Sequence, residues 1–461
     1  MKQLRLGVSA ALVALMTLGC GRRPDTQIAG DTAFVGVNVI PMDSERVLEN
    51  QVVVVADGRI VAIGSSDEID PADGVDVVEA TGQYLIPGLT EMHGHLPNAQ
   101  ASETDTQNLL FLYVANGVTT VRGMQGHPSQ FELRDRIDRG VIAGPQLFLG
   151  SVAISGRRVS APEQAAQLVR EYQMQGYDLI KTLEGLSLET YDALARTAQE
   201  VGIPFGGHVP DEVGLRHALA SGQVSIDHLD NFVEALVPKD KQADEWPGIG
   251  GEGAFVDRID DARLPEVIAA TVDAGAWVVP TMVLWETGIL GTRPATAVLA
   301  ERPEVQYMPP ETVERWTRAV EDVLASSDVE TARRLAALRR TILSALYEAG
   351  ANIVLGTDSP QTFSVPGFSV HREMQLYVEI GMAPHDVLAI GTRNPAEYFG
   401  ASEEFGTVAV GHRADLVLLT ANPLDDIANV QRRAGVMVNG RWLPEAEIQK
   451  RLEAIAVLYG N

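Results

Sequence analysis

Hydrophobic and polar positions fall into two rhythms along the chain. Residues 31–84 carry short runs rich in valine and isoleucine, at Thr32–Ile40, Gln51–Val55 and Arg59–Ile63, and the Asp57-Gly58 pair suits a hairpin turn. Residues 403–443 repeat that texture at Gly406–Val410, Asp415–Leu419 and Gly435–Asn439. Between these flanks, short apolar runs alternate with longer amphipathic stretches. Strands are predicted at Tyr84–Met92, Val118–Arg122, Gln146–Ser151, Asp178–Lys181, Pro204–His208, Ser225–His228, Trp277–Thr281 and Ile353–Asp358. Helices are predicted at Pro162–Gln175, Leu188–Val201, Glu212–Ser221, Leu264–Ala274 and Ala325–Gly350. Eight such units predict an α/β chain whose residues 85–402 form a (β/α)8 TIM-type barrel. The flanks, 31–84 and 403–461, would pair as one small β-sandwich built from both ends, with a helix closing the chain. Two long excursions, 229–263 and 282–325, would lie on the C-terminal face of the barrel, where substrates bind. They would shape the pocket or meet a neighbouring subunit, so a homo-oligomer stays open.

The first residues have a third texture. Lys2 and Arg5 precede an apolar run from Leu6 to Leu18, which is shorter than the roughly 20 residues a membrane span needs. Residues 1–19 therefore read as a secretory signal peptide. Cys20 is the single cysteine of the chain, and it follows Thr17-Leu18-Gly19 where a lipoprotein would be cleaved and acylated. Residues 20–30 would be a polar tether. The expected location is the periplasm or the cell surface, with membrane contact only through a lipid on Cys20.

Composition narrows the partners. Acidic residues outnumber basic ones, 62 against 36, for a net charge of −26. That surface repels nucleic acid and anionic headgroups and suits a protein that attracts cations. One cysteine permits no internal disulfide and no thiolate metal cage, so any metal site must use histidine, carboxylate or a less usual ligand.

Those residue types gather at particular places. The first predicted strand of the middle region ends in Met92-His93-Gly94-His95, and residues two apart on a strand face the same side. Lys181, His208, His228 and Asp358 end the fourth, fifth, sixth and eighth. Any one of these has an ordinary structural reading: a surface histidine, a snorkelling lysine, a turn aspartate. Together, four histidines and an aspartate around one axis would make a poor barrel mouth without a cation, because buried polar groups need partners, and this favours a metal site over coincidence.

The same residues carry a resemblance. Leu85-Ile86-Pro87-Gly88-Leu89-Thr90-Glu91-Met92-His93-Gly94-His95 resembles the opening motif of the amidohydrolase superfamily. Asn116–Arg122 resembles its second strand, Gly356-Thr357-Asp358 its eighth, and Gly411–Leu416 its closing sandwich. Asp178-Leu179-Ile180-Lys181 resembles the branch of metal-dependent prolidase-like dipeptidases, with imidazolonepropionase-like enzymes as relatives. The resemblance implies two divalent metal ions. His93, His95 and Asp358 would hold one, His208 and His228 the other, and an N-carboxylated Lys181 would bridge them. Zinc fits this ligand set, with manganese, cobalt and iron open. It further implies hydrolysis of an amide bond in a small substrate, such as a dipeptide or N-acyl amino acid. A water shared by the ions would attack, and Asp358 would act as general base and acid. His127, after the second strand, and Arg157 and Arg158, after the third, are candidate substrate contacts, the arginines for a carboxylate. His371 is expected on a helix near the mouth. Hydrolysis of a cyclic amide or lactone, a deamination, and a non-catalytic metal- or solute-binding lipoprotein are the competing readings.

Overall fold

The computed structural model describes residues 26–241 and 251–460. The leader at 1–19 and Cys20 lie outside the described residues. So does the part of the breaker-rich run from Trp246 to Gly250. Thr26–Ile28, read above as tether, pairs in parallel with Ile69–Pro71.

Eight short parallel strands occupy the middle of the chain. They are β1 (Leu89–Gly94), β2 (Val118–Gly123), β3 (Gln146–Leu149), β4 (Ile180–Thr182), β5 (Phe205–Gly207), β6 (Ser225–Asp227), β7 (Trp277–Val279) and β8 (Asn352–Ile353). β1 to β3 form one sheet in the order 1-2-3, and β4 to β8 a second in sequence order. Bridges between Gly150 and Leu179 and between Ile154 and Thr182 join the two beyond β3. Past β8 the hydrogen bonding returns to β1: Met92 N donates to Leu355 O and His95 N to Ser359 O, each at 2.8 Å. Leu147, Ile180, Phe205, Ile226, Val278 and Ile353 are buried along these strands.

The intervening helices follow their apolar spacing. In Leu188–Val201 the residues Tyr191, Leu194, Ala195 and Ala198 fall on one face and are buried. Ser187 caps its start by accepting from Thr190 N at 3.3 Å. Burying Tyr191 and Leu194 contributes about 1.5–3 kcal/mol each, which holds the helix against the strands. The helix expected at Ala325–Gly350 is present as Val329–Glu348, and a further helix, Pro310–Ser326, precedes it within the second excursion. Asp328 starts Val329–Glu348 by accepting from Glu330 N, so a polar cap interrupts what apolar periodicity alone would join.

A single eight-stranded sheet joins both ends of the chain. Tyr84–Pro87 pairs antiparallel with Leu416–Leu419 on one side and parallel with Thr32–Val39 on the other. The run Tyr84–Met92 is therefore not one strand. It divides at Gly88, whose N–H donates to Asp415 O at 2.8 Å, and only Leu89 onward joins β2. Gly406–Val410 is turn rather than strand, tied by Val408 N donating to Pro41 O.

Candidate metal centre

His93 and His95 sit at the end of β1, Lys181 within β4, His208 and His228 just past β5 and β6, and Asp358 five residues past β8. All six line one cavity of about 310 Å³. Single ligand atoms of His93, His228 and Asp358 lie within 4.8 Å of one another. His95 Nε2 is 2.8 Å from Asp358 Oδ1, and His93 Nε2 is 3.7 Å from it. His228 packs its ring 4.5 Å from both the His93 and the His208 rings.

The imidazoles are aimed by their outer nitrogens. His93 Nδ1 lies 2.7 Å from Asp227 Oδ2, His208 Nδ1 2.7 Å from Asp230 Oδ2, and His228 Nδ1 2.8 Å from Thr281 Oγ1. Asp230 and Thr281 bond His208 and His228 at Nδ1, which presents Nε2 as the free nitrogen, the arrangement found behind metal-bound histidine; His93 Nδ1 lies close to Asp227 without a hydrogen bond formed. His228 Nε2 and Lys181 Nζ are buried without a hydrogen-bond partner. Two such polar atoms facing the same cavity fit the donor set of a cation.

Backbone conformation serves the same end. His228, Thr281 and Asp358 have φ of 63°, 49° and 59°, a region that costs a non-glycine residue about 1–3 kcal/mol. Gly207 has φ of 119°, and a Cβ there would stand 2.7 Å from Lys181 Cδ. The lysine stem therefore needs glycine beside it.

Charge is unevenly distributed. Burial pulls the Lys181 ammonium below its usual range, although Asp227 lies 3.9 Å away. Burial alone would raise Asp358, but the His95 and His93 imidazoles hold it far below the usual carboxylate range. Beneath the cavity, fully buried Arg122 donates to both oxygens of fully buried Asp227, at 3.1 and 3.2 Å. Glu91, also buried, accepts from His93 N at 2.9 Å and Thr357 N at 2.8 Å, tying β1 to the segment that carries Asp358. Burial pushes its carboxyl up to about 8.

Arg122, Asp227, Asp230, Glu91 and Thr281 were not singled out from the sequence. Alternation gave the only signal: Glu91 lies two residues before His93 on β1, and Asp227 is the charged residue of the short β6. Glu184 also lines the cavity, 3.0 Å from His208 Nδ1. Its other walls include Met124, Leu183, Leu284, Trp285 and Ile289, three of them from the second excursion.

The structure does not bring His127, Arg157 or Arg158 to this cavity. His127 is folded into a turn, with Nδ1 2.8 Å from Ser129 Oγ. Gly156 lies so close to Gly185 that a Cβ would meet its carbonyl oxygen, which pins the loop and leaves both arginines exposed. His371 lies away from the mouth as well. Its Nε2 donates to Asn116 O at 2.9 Å, before the start of β2, so the helix Phe368–Glu379 directs it to the opposite end of the strands.

Comparison with known proteins bears on this geometry. The chain is 24% identical over 393 residues to an adenine deaminase of Deinococcus deserti, covering 85% of this chain and 57% of that enzyme. It thus spans less than two thirds of the length of that deaminase. It is 26% identical over 415 residues to an imidazolonepropionase of an Arthrobacter species, covering 83% and 91% of the two chains. The solved structure of a bottromycin amidohydrolase superposes with a TM-score of 0.70 at 25% identity, covering 93% of this chain and 90% of that one. The model of the amidohydrolase family matches residues 84–443. The chain belongs to the amidohydrolase family.

Proposed function

We propose that the protein is a metal-dependent hydrolase of an amide C–N bond in a small substrate. The observation that carries the reading is the convergence of His93, His95, Lys181, His208, His228 and Asp358 on one cavity, with Lys181 Nζ and His228 Nε2 buried without a hydrogen bond. We read the returning parallel strands as a (β/α)8 barrel and the terminal sheet as its sandwich. In this reading the four histidines, Asp358 and a carbamate on Lys181 hold two divalent ions. A buried amine shifted toward its neutral form is the nucleophile that carbon dioxide needs. Bound divalent cations supply Lewis acidity to a carbonyl and acidity to water.

The chain's own groups do the rest. Asp358 faces the cavity between His93 and His95, where its carboxylate would take a proton from the attacking water and deliver it to the departing nitrogen. Trp285, Leu284, Ile289 and Leu183 keep water from one side of the cavity and receive an apolar group. Thr281 and Asp227 keep the imidazoles oriented.

One observation favours a neutral substrate over a free dipeptide. Among the described residues lining the cavity there is no guanidinium, and Lys181 is the one ammonium. A cyclic amide or an N-acylated compound with its charge outside the cavity fits that lining, and a lactone would fit it only under the alternative of ester hydrolysis. The test is metal analysis combined with a hydrolysis screen of dipeptides, N-acyl amino acids, cyclic amides and lactones. Two equivalents of divalent metal are expected, and Asp358→Asn should lower kcat by about 10²–10⁴-fold. A chain that binds less than one equivalent, or turns over none of these bonds when loaded, would end the proposal.

A further inference from the structure

A second cavity, of about 530 Å³, opens on the flank of the molecule between the helix Val329–Glu348, the helix Phe368–Glu379 and the segment 283–302. Five arginines line it: Arg293, Arg302, Arg333, Arg340 and Arg372. In a chain of net charge −26 that concentration needs a reason.

Three of the five are already neutralised. Arg340 forms two hydrogen bonds to Glu286, at 2.6 and 2.7 Å. Arg293 forms two to Glu301, at 2.6 and 3.0 Å, and Arg372 donates to Glu304 at 2.7 Å. The other two are not. Arg302 is 9% exposed, and its hydrogen bonds go to neutral acceptors, Phe363 O at 2.7 Å and Thr287 Oγ1. It has no ion-pair partner among the described residues, and burial with Arg372 nearby pulls its guanidinium down to about 10. Arg333, at the exposed rim, likewise has no partner among the described residues. A buried guanidinium without a counterion is costly, and one that faces a cavity has room to acquire one.

We propose that this cavity is a binding site for an oxyanion of the phosphate class, held between Arg302 and the rim residue Arg333. Glu379 also lines the cavity, 3.3 Å from Arg340, so the five arginines exceed Glu286, Glu301, Glu304 and Glu379 by one positive charge, and the guanidinium fork suits phosphate oxygens. Gln375, also lining the cavity, adds a neutral donor. The site would also brace the metal centre. Thr287 lies between Trp285 and Ile289, and Phe363 two residues past Gln361, all three being residues that line the metal cavity. Arg302 thus ties two walls of that cavity together, and an anion on Arg302 would hold it in place.

Calorimetric titration of the full chain with inorganic phosphate tests the assignment, before and after chelator treatment. A saturable isotherm of one phosphate per chain is expected in both states, weakened about tenfold or more by Arg333→Glu. Gln375→Glu, which sets a negative charge beside the same anion, should weaken it as well. Absence of saturable binding in the millimolar range overturns the proposal, as does wild-type affinity in Arg333→Glu. Binding abolished by chelation overturns it too, since phosphate would then sit on metal. Sedimentation with phosphatidylglycerol vesicles distinguishes the source. Co-sedimentation lost in Arg333→Glu assigns the phosphate to a lipid headgroup. Phosphate binding without co-sedimentation assigns it to a soluble ester or to free phosphate.

Discussion

Replacing Asp227 with asparagine removes one negative charge where a guanidinium, an imidazole and an amine converge. Arg122 donates to Met92 O at 2.5 Å, Tyr398 OH at 2.8 Å, Ser225 Oγ at 3.1 Å and both Asp227 oxygens. Asp227 is its only ion-pair partner among the described residues, and both side chains are fully buried. Asparagine keeps the shape and one acceptor, so the loss is electrostatic rather than steric. Breaking a buried pair from one side costs about 3–5 kcal/mol, and the retained acceptor places this case near 3. Unfolding entropy for a chain of this length amounts to about 1 kcal/mol per degree, so Tm should fall by about 3 °C. A second readout is independent of the first. His93 Nδ1 rests 2.7 Å from the same carboxylate, and loss of such an orienting group weakens metal binding about 10–100-fold. Melts of chelated protein measure the first effect, and competition against a chelator of known affinity measures the second. In Arg122→Met/Asp227→Asn the stranded cation is gone, so the double variant should be more stable than Asp227→Asn alone. A Tm within about 1 °C of wild type, together with unchanged metal affinity, would refute the reasoning.

Two further substitutions probe other links. His371 is held neutral by burial and by the Arg433 charge, its pKa pulled from 6.5 to about 4. Below pH 6.5 the unfolded chain takes up a proton that the native one refuses until about pH 4, so stability falls as the pH falls through that window. The shift amounts to about 3 kcal/mol at 1.36 kcal/mol per unit. His371→Gln can still donate to Asn116 O, and urea melts should show wild type losing about 3 kcal/mol more than the variant between those pH values; parallel curves would exclude this account. Gly207→Ala sets a Cβ against Lys181 Cδ and Cε at 2.7 and 3.0 Å, on a backbone with φ of 119°. It should cost about 1–3 kcal/mol and reduce bound metal from two equivalents to one; full metal content with unchanged stability would show that Lys181 does not need the space.

The eight parallel strands were legible because each is a short apolar run bounded by breakers, and because chemistry sits at their ends. His93, His95, His208, His228 and Asp358 stood out as polar residues where the apolar pattern stops. The groups behind them did not. Asp227 and Arg122 read as parts of strands, and only the packing of β2 against distant β6 shows that they neutralise each other. Arg157 and Arg158 read as lining the mouth because they follow β3, but the contact of Gly156 with Gly185 that turns them outward links residues about thirty apart. The division at Gly88 was hidden for a similar reason. The apolar run is continuous from Leu85 to Leu89, and the change of partner depends on Asp415, more than three hundred residues away.

That division has a consequence for how the molecule is made. Tyr84–Pro87 leads within one residue into the strand that bears His93 and His95, and it is flanked by Leu416–Leu419 from near the other terminus. During synthesis the first histidine pair is therefore made early, but the strand that leads into it gains its Leu416–Leu419 neighbour only about three hundred residues later. A message cut short before residue 416 would yield chains that keep His93, His95, Lys181, His208, His228 and Asp358 but leave Tyr84–Pro87 without its antiparallel neighbour.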